Sequence, residues 1–253
     1  KPDGVIISNP TSLHVDMALP FLKEGIKVLI EKPIDDSLEK ALQLKPYEEN
    51  LRVAYCMRFL PTYEVLKEIF KKDKPFKVGF KRSYYLPKWH PYADYREEYT
   101  AKKVLGGGVI RTLSHEIDLS IDWFGVPNSI NGVVDKVSHL EIDTDDYAFF
   151  TTKTPDNVRV NFELDFFSPI NINHGEAYTS KGKYYWDINV INFIAYDETV
   201  PSVVYESPKD AVDKMYKNQV DDFIHFIKTN KSANAKFEEG LATLNIIEKI
   251  SNG

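Results

Sequence analysis

At 253 residues, with 43% hydrophobic and 28% charged side chains, the chain can bury a sizeable core and has too much apolar content to be a disordered segment. A formal net charge of −6 excludes the overall basic field with which a nucleic-acid-binding protein displaces counterions. The single cysteine, Cys56, excludes an internal disulfide, no Cys/His spacing reads as a zinc site, and no uncharged stretch is long enough to span a bilayer, so the expectation is a cytoplasmic protein with no nucleic-acid or membrane partner.

In chain order, Val5-Ile6-Ile7-Ser8 is an apolar run of the length of a buried parallel strand. Asn9-Pro10-Thr11-Ser12 supplies turn and N-cap chemistry, and Val15, Ala18, Leu19 and Leu22 then recur at helical spacing until Gly25. Lys27-Val28-Leu29-Ile30 is a second strand, so residues 5–30 make one βαβ unit whose carboxyl end delivers Glu31 and Lys32. Residues 37–50 predict another helix, and 51–56 a third strand ending at Met57-Arg58-Phe59. A helix over 61–72 is followed by an alternating strand over 76–85 with one wet face. Between 130 and 205 the signals are nearly all strand, with 147–152, 158–166 and 188–196 separated by turns such as Pro155-Asp156-Asn157. Two helices close the chain, 212–229 and 237–250, and Val220, Phe223, Ile224 and Ile227 mark the expected buried face of the first. The fold class is therefore α/β plus α+β: a parallel α/β portion over 1–59, then a domain over 60–253 on an open, mostly antiparallel sheet.

Open parallel sheets take their ligands outside the carboxyl ends of the strands. Ser8-Asn9-Pro10, Glu31-Lys32-Pro33 and Arg58 stand at three such ends. A lysine after a strand is, taken alone, most often a surface lysine, and only the combination points to a site.

That combination resembles the Gfo/Idh/MocA family of nicotinamide-dependent oxidoreductases. The matching text runs from Asp3 to His14 (DGVIISNPTSLH), from Gly25 to Pro33 (GIKVLIEKP), through Met57-Arg58-Phe59, from Leu105 to Asp118 (LGGGVIRTLSHEID), and ends at Phe237-Glu238-Glu239-Gly240-Leu241. The resemblance implies that residues 1–59 are the C-terminal portion of a Rossmann domain binding NAD or NADP. Residues 60–253 would be a substrate and oligomerisation domain, and hydride would pass between the cofactor and a sugar or nucleotide-sugar hydroxyl or ketone. It assigns Lys32 to the substrate hydroxyl beside the nicotinamide. His115 becomes the candidate general acid/base, since an imidazole titrates near neutral pH. Ser8, Asn9, Pro10, His14, Glu31, Lys32, Pro33 and Arg58 fall on the cofactor side. Asn9, Pro10 and His14 serve equally as N-cap chemistry for the next helix, and Arg58 equally as a helix-entry salt bridge. The resemblance also implies a cis peptide before Pro33.

Between the motifs lies Tyr84-Tyr85-Leu86-Pro87-Lys88-Trp89-His90-Pro91-Tyr92-Ala93-Asp94-Tyr95-Arg96. Rings stack on sugar faces and His or Arg tips bond hydroxyls or phosphates, so Trp89, His90, Tyr95 and Arg96 are substrate candidates; the equal alternative is a loop packed on the sheet by its aromatics. A similar segment belongs, by the same resemblance, to a branch linked to surface-glycan sugar biosynthesis.

Two departures stand out. Arg111 occupies the position, one helical turn before His115, where the family commonly carries an Asp; a guanidinium is no base, lowers the pKa of a neighbouring histidine, and suits an acidic substrate group. The fingerprint G-x-G-x-x-G and its following acidic residue are not in this sequence, which reads as starting after roughly 60 residues that would hold two βα units. A non-catalytic sugar-binding or assembly module is the competing expectation. The open sheet face, with Phe149, Val160, Phe162 and Leu164 as candidates, predicts a homodimer or homotetramer. No metal site is expected.

Overall fold

The apolar runs at the start of the chain become a parallel sheet in the computed structural model, which describes residues 1–251. Strands β1 (Gly4–Ile7), β2 (Lys27–Glu31) and β3 (Leu51–Ala54) pair side by side in parallel. Helix α1 (His14–Lys23) makes the first crossover and buries Val15, Ala18 and Leu22 against Ile7, Val28 and Ile30. The single helix expected over 37–50 is instead α2 (Leu38–Leu42) and a 3-10 segment, Lys45–Asn50. Pro46 explains the break: inside an α-helix its ring would meet the carbonyl of Leu42, and it has no N–H to donate.

The second unit opens with α3 (Pro61–Lys72) and β4 (Lys77–Tyr85). A loop with several 3-10 turns leads to α4 (Val109–Thr112) and α5 (His115–Phe124). Then come β5 (Ser129–Asp135), β6 (Tyr147–Lys153), β7 (Arg159–Asp165), β8 (Phe167–Tyr178), β9 (Gly182–Trp186), β10 (Val190–Ala195) and β11 (Ser202–Glu206). They form one eight-stranded sheet in the order β11-β10-β9-β8-β4-β7-β6-β5, antiparallel except where β4 runs beside β7. Its inner face is an aromatic core in which Phe150 and Phe162 stack at 4.4 Å, Phe80 and Phe162 at 5.5 Å, and Trp123 meets Phe70 and Phe80.

The register corrects one expectation. Val160, Phe162 and Leu164 lie opposite Val78, Phe80 and Arg82, and this places them on the covered face, where each is at most 1% exposed. Phe149 lies opposite Glu163 on the other face and is 42% exposed. Alternation separates two faces without saying which one meets the helices.

The last segment returns to the first sheet. Helix α6 (Ala211–Thr229) packs Phe223 and Phe226 on Leu29 and Ala54, β12 (Ala235–Lys236) pairs antiparallel with β3, and α7 (Phe237–Ser251) places Phe237 and Leu244 in the first core and Ile246, Ile247 and Ile250 in the second. A division of the sequence at 59/60 separates this segment from the sheet it completes. The expected buried face of α6 is also rotated: Met215, Gln219, Phe223 and Phe226 are buried, while Val220 and Ile224 are 40% and 43% exposed. The outer edge of β1 has no partner strand among the described residues.

Candidate active site

The site forms where the carboxyl ends of β1, β2 and β3 meet the helical turn that carries His115. Asn9 follows β1; its carbonyl lies 2.8 Å from His14 Nε2, and Pro33 O lies 2.9 Å from Nδ1 of the same ring. The buried His14 thus ties the loop after β1 to the loop after β2. Burial lowers its pKa, and a neutral ring has one N–H for the two carbonyls. Ser8 is exposed and Pro10 half-buried, the latter accepting from Leu13 N at 2.9 Å. Asn9 Oδ1 is buried and has no hydrogen-bond partner.

Glu31 and Lys32 end β2, and the Lys32–Pro33 peptide is cis. Lys32 Nζ donates to the carbonyl oxygen of Thr112, the last residue of α4. Burial raises the pKa of Glu31 and lowers that of Lys32, whose charge Glu31, Cys56 and Glu116 oppose losing. Lys32 keeps part of its surface open while protein surrounds it at longer range. Burial likewise pushes the Cys56 thiol up to about 12, so it is no thiolate nucleophile near neutral pH.

The glycine run sets the approach to His115. Gly106 and Gly108 have φ of +77° and +108°, and a Cβ on Gly107 would stand 2.4 Å from Tyr99 O. Asp145 Oδ2 accepts from Ile110 N at 3.0 Å, and a Cβ on Gly108 would come within 2.2 Å of Asp145 Oδ1. Only glycine lets the chain turn this closely and begin α4 under the Asp145 carboxylate. His115 opens α5, half-buried, with its ring at 5.8 Å and 82° to Tyr55 and its Nδ1 buried without a partner. Burial first, then the positive charges of Lys32 and Arg82, hold its pKa well below the ordinary imidazole value. His115 is therefore neutral at pH 7 and ready to accept a proton. Replacing Lys32 with Met removes one of those charges and should raise the His115 pKa in an NMR titration of the imidazole. An unchanged titration would show that the two side chains are not electrostatically joined.

The other candidates separate. Arg58 is held by carboxylates: Nε and Nη2 grip Asp118 at 2.8 and 2.7 Å, and Nη1 bonds Glu239 at 3.0 Å. Arg111 turns to the first unit, donating from Nη2 to Asp36 O at 3.3 Å, while its Nε is buried without a partner. Trp89 stacks on Tyr84 at 4.8 Å. His90 pairs with Glu98, Arg96 with Asp94 and Glu141, and the Tyr95 hydroxyl accepts from Glu141 N at 3.2 Å.

Around the centre, Arg82 and Asn173 lie outside every segment the sequence reading marked, and Tyr84 and Glu116 lie inside marked segments without having been given a role. Arg82 and Tyr84 border a cavity of about 410 Å³ with Met57, Asn173, Asn189 and Tyr216, at the junction of the two units. A second cavity of about 340 Å³ shares Tyr84 and Asn171 with it and is lined by Trp89. Arg82 had a signal: it follows Val78 and Phe80 on the inward parity of β4, where a charge is out of pattern.

Comparison with known proteins agrees with this architecture. Residues 1–59 match the profile described as an oxidoreductase family, NAD-binding Rossmann fold, and residues 76–185 the GFO/IDH/MocA C-terminal domain. The chain belongs to the GFO/IDH/MocA family. It is 26% identical over 126 residues to inositol 2-dehydrogenase of Corynebacterium glutamicum, a match covering 48% of this chain and 34% of that protein. The chain thus spans about a third of the length of the curated relatives it matches. Its fold is that of UDP-N-acetylglucosamine 3-dehydrogenase from Acidithiobacillus ferrooxidans, with a TM-score of 0.79 and 17% identity over 99% of this chain and 77% of that one. An oxidoreductase from Agrobacterium radiobacter, solved in complex with NAD+, L-tartaric acid and magnesium, has a TM-score of 0.80 at 13% identity, over 99% of this chain and 78% of its own.

Proposed function

We propose that this chain supplies the nicotinamide-side and substrate-side residues of an NAD(P)-dependent oxidoreductase acting on a sugar or sugar derivative. The observation that carries the reading is the bond from Lys32 Nζ to Thr112 O, which joins the lysine after β2 to the turn bearing His115. The residues fit the nicotinamide end of a dinucleotide: Asn9 Oδ1 is an unpaired buried acceptor after β1, and Glu31 and Lys32 present charge after β2. The bound cofactor would supply the hydride acceptor or donor. Lys32 donates a hydrogen bond to the reacting oxygen and favours negative charge on it. His115, neutral at pH 7, takes the hydroxyl proton in oxidation and returns it in reduction. The adjoining cavities along Tyr84 and Trp89 leave room beyond one ring, in keeping with a nucleotide-linked sugar of surface-glycan biosynthesis. NAD(P)-dependent turnover followed by nicotinamide fluorescence tests the reading, which fails if Lys32→Ala and His115→Ala both turn over at the parent rate.

The open face of the eight-stranded sheet is proposed as a self-association surface. It presents Val133 and Phe149, 55% and 42% exposed, beside the Lys81–Glu163 and Lys77–Glu176 ion pairs. Light scattering at micromolar concentration should give a dimer or tetramer. A clean monomer would contradict it.

A further inference from the structure

We propose that Asp145 is a positioning residue for the reacting centre: it fixes the α4 turn, and through the carbonyl of Thr112 it holds the Lys32 ammonium beside His115. Asp145 acts on the proposed reaction only through those two side chains, so the proposal rests on the oxidoreductase reading.

Helix α4 is a single turn, Val109–Thr112, too short to hold its own place. Its first two N–H groups, which no helix satisfies internally, both go to one residue. Val109 N donates to the carbonyl of Asp145 at 3.0 Å, and Ile110 N to its carboxylate Oδ2 at 3.0 Å. The other carboxylate oxygen lies over Gly108, where a Cβ would come within 2.2 Å of it. From Gly108 the hold passes along the turn. Thr112, 4% exposed, donates to Gly108 O from its N at 3.0 Å and from its hydroxyl at 2.7 Å. Thr112 O in turn accepts from Lys32 Nζ, and three residues on His115 opens α5.

Asp145 is itself tied to the large sheet. On one side the Thr144 hydroxyl donates to Thr100 O at 3.2 Å. On the other, the buried Asp146 accepts from Val137 N at 2.8 Å and from the Ser138 hydroxyl at 2.6 Å, its N donates to Asp135 O, and its carbonyl accepts from Phe166 N. Asp135 ends β5 and Phe166 follows β7. A sheet, one aspartate, a one-turn helix and a carbonyl therefore lead in sequence to Lys32, whose flexible stem comes from the other unit. Released from Thr112 O, the ammonium would relax toward water or Glu31. Arg111 also finds a place in this arrangement. Burial raises the Asp145 pKa, against the Ile110 N–H and the charge of Arg111, while the same guanidinium donates to Asp36 O on the loop after Lys32.

The test is NMR on this chain with 13C-labelled lysine and histidine, Lys32 and His115 being assigned from the signals lost in Lys32→Met and His115→Gln. In Asp145→Ala, and in the polar Asp145→Ser should Ala not fold, the Lys32 ε-methylene signal should move to the position of exposed lysines and the His115 pKa should rise. The sign is diagnostic. His115 has the Tyr55 ring and Glu116 beside it and is depressed by the charges of Lys32 and Arg82; losing a carboxylate charge alone would lower its pKa further, whereas withdrawing the Lys32 ammonium raises it. Asp145→Asn keeps an acceptor for Ile110 N and should keep the Lys32 signal in its parent position. In turnover, Asp145→Ala should lower kcat about 10- to 100-fold with the KM for the nucleotide within about twofold, the scale of a misplaced catalytic group. Parent-like Lys32 and His115 signals in the folded variant, a lowered His115 pKa, or turnover at the parent rate would overturn the proposal. Any of these with turnover still dependent on Lys32 and His115 would leave the oxidoreductase reading intact; turnover independent of both would remove that reading itself.

Discussion

Lys32→Ala and His115→Ala are each expected to lower NAD(P)-dependent turnover by about 100- to 10,000-fold, the range for removing a positioned proton donor or acceptor. The two losses should not add, because in the proposed reaction both residues serve the same oxygen and proton. Lys32 reaches Thr112 O across the junction, so its removal also frees the turn before His115. The pH dependence separates the roles. With the His115 pKa held well below the usual imidazole value, the oxidising rate should stay level through neutrality and fall only on acidification past that lowered pKa. Removing Lys32 raises the His115 pKa, so in Lys32→Ala the acid limb of the residual rate should move upward. A residual rate that falls at the same pH as the parent would argue that His115 is not the titrating group.

Arg58→Met should cost about 3–5 kcal/mol of folding stability, because it leaves a buried carboxylate without its partner. Asp118 is 1% exposed and Arg58 grips it with two bonds while also reaching Glu239, so the pair joins the end of β3, α5 and α7. Burial pushes the Asp118 pKa up to about 6 with Arg58 opposing. Without Arg58 the carboxyl rises further and is relieved by taking up a proton. A raised folded-state pKa means that the native form binds more protons than the unfolded one, so the deficit of Arg58→Met should shrink on acidification from mildly alkaline to mildly acid solution. Urea unfolding at several pH values reads this directly. Arg58→Lys should fall between parent and Met, since an ammonium cannot make the bidentate contact. The pairing with Asp118→Leu should recover much of the loss, because an apolar replacement of a buried ion pair is close to neutral. A deficit under about 1 kcal/mol in Arg58→Met would mean that the network contributes little.

The three parallel strands of the first sheet were legible because each is a short, largely apolar run ended by a turn, the mark of parallel strands. The motifs around Lys32 and His115 marked both as candidates, and the structure joins the lysine to the turn that bears the histidine. What the sequence could not convey is which side of an alternating strand meets the helices: Val160, Phe162 and Leu164 differ from Phe149 only in parity. For the same reason Val220 and Ile224 looked buried, whereas α6 rests on Leu29 and Ala54 through Phe223 and Phe226. Strand β12, two residues long, has no periodicity to read. The Arg82–Glu116 pair, 3.9 Å apart between Nε and Oε1, was hidden by distance along the chain. Its members come from β4 and α5, and nothing local says that an inward arginine will find that glutamate.

The central proposal, that Lys32 and His115 serve one hydride-transfer centre acting on a sugar or sugar derivative, is tested most directly by following deuterium. A panel of neutral polyols and sugars deuterated at each carbinol carbon, incubated with NAD+ or NADP+, should yield reduced nicotinamide carrying deuterium from one position of one ring, and almost none in Lys32→Ala or His115→Ala. No labelled nicotinamide from any member of the panel, or equal labelling in the two variants, would contradict the account.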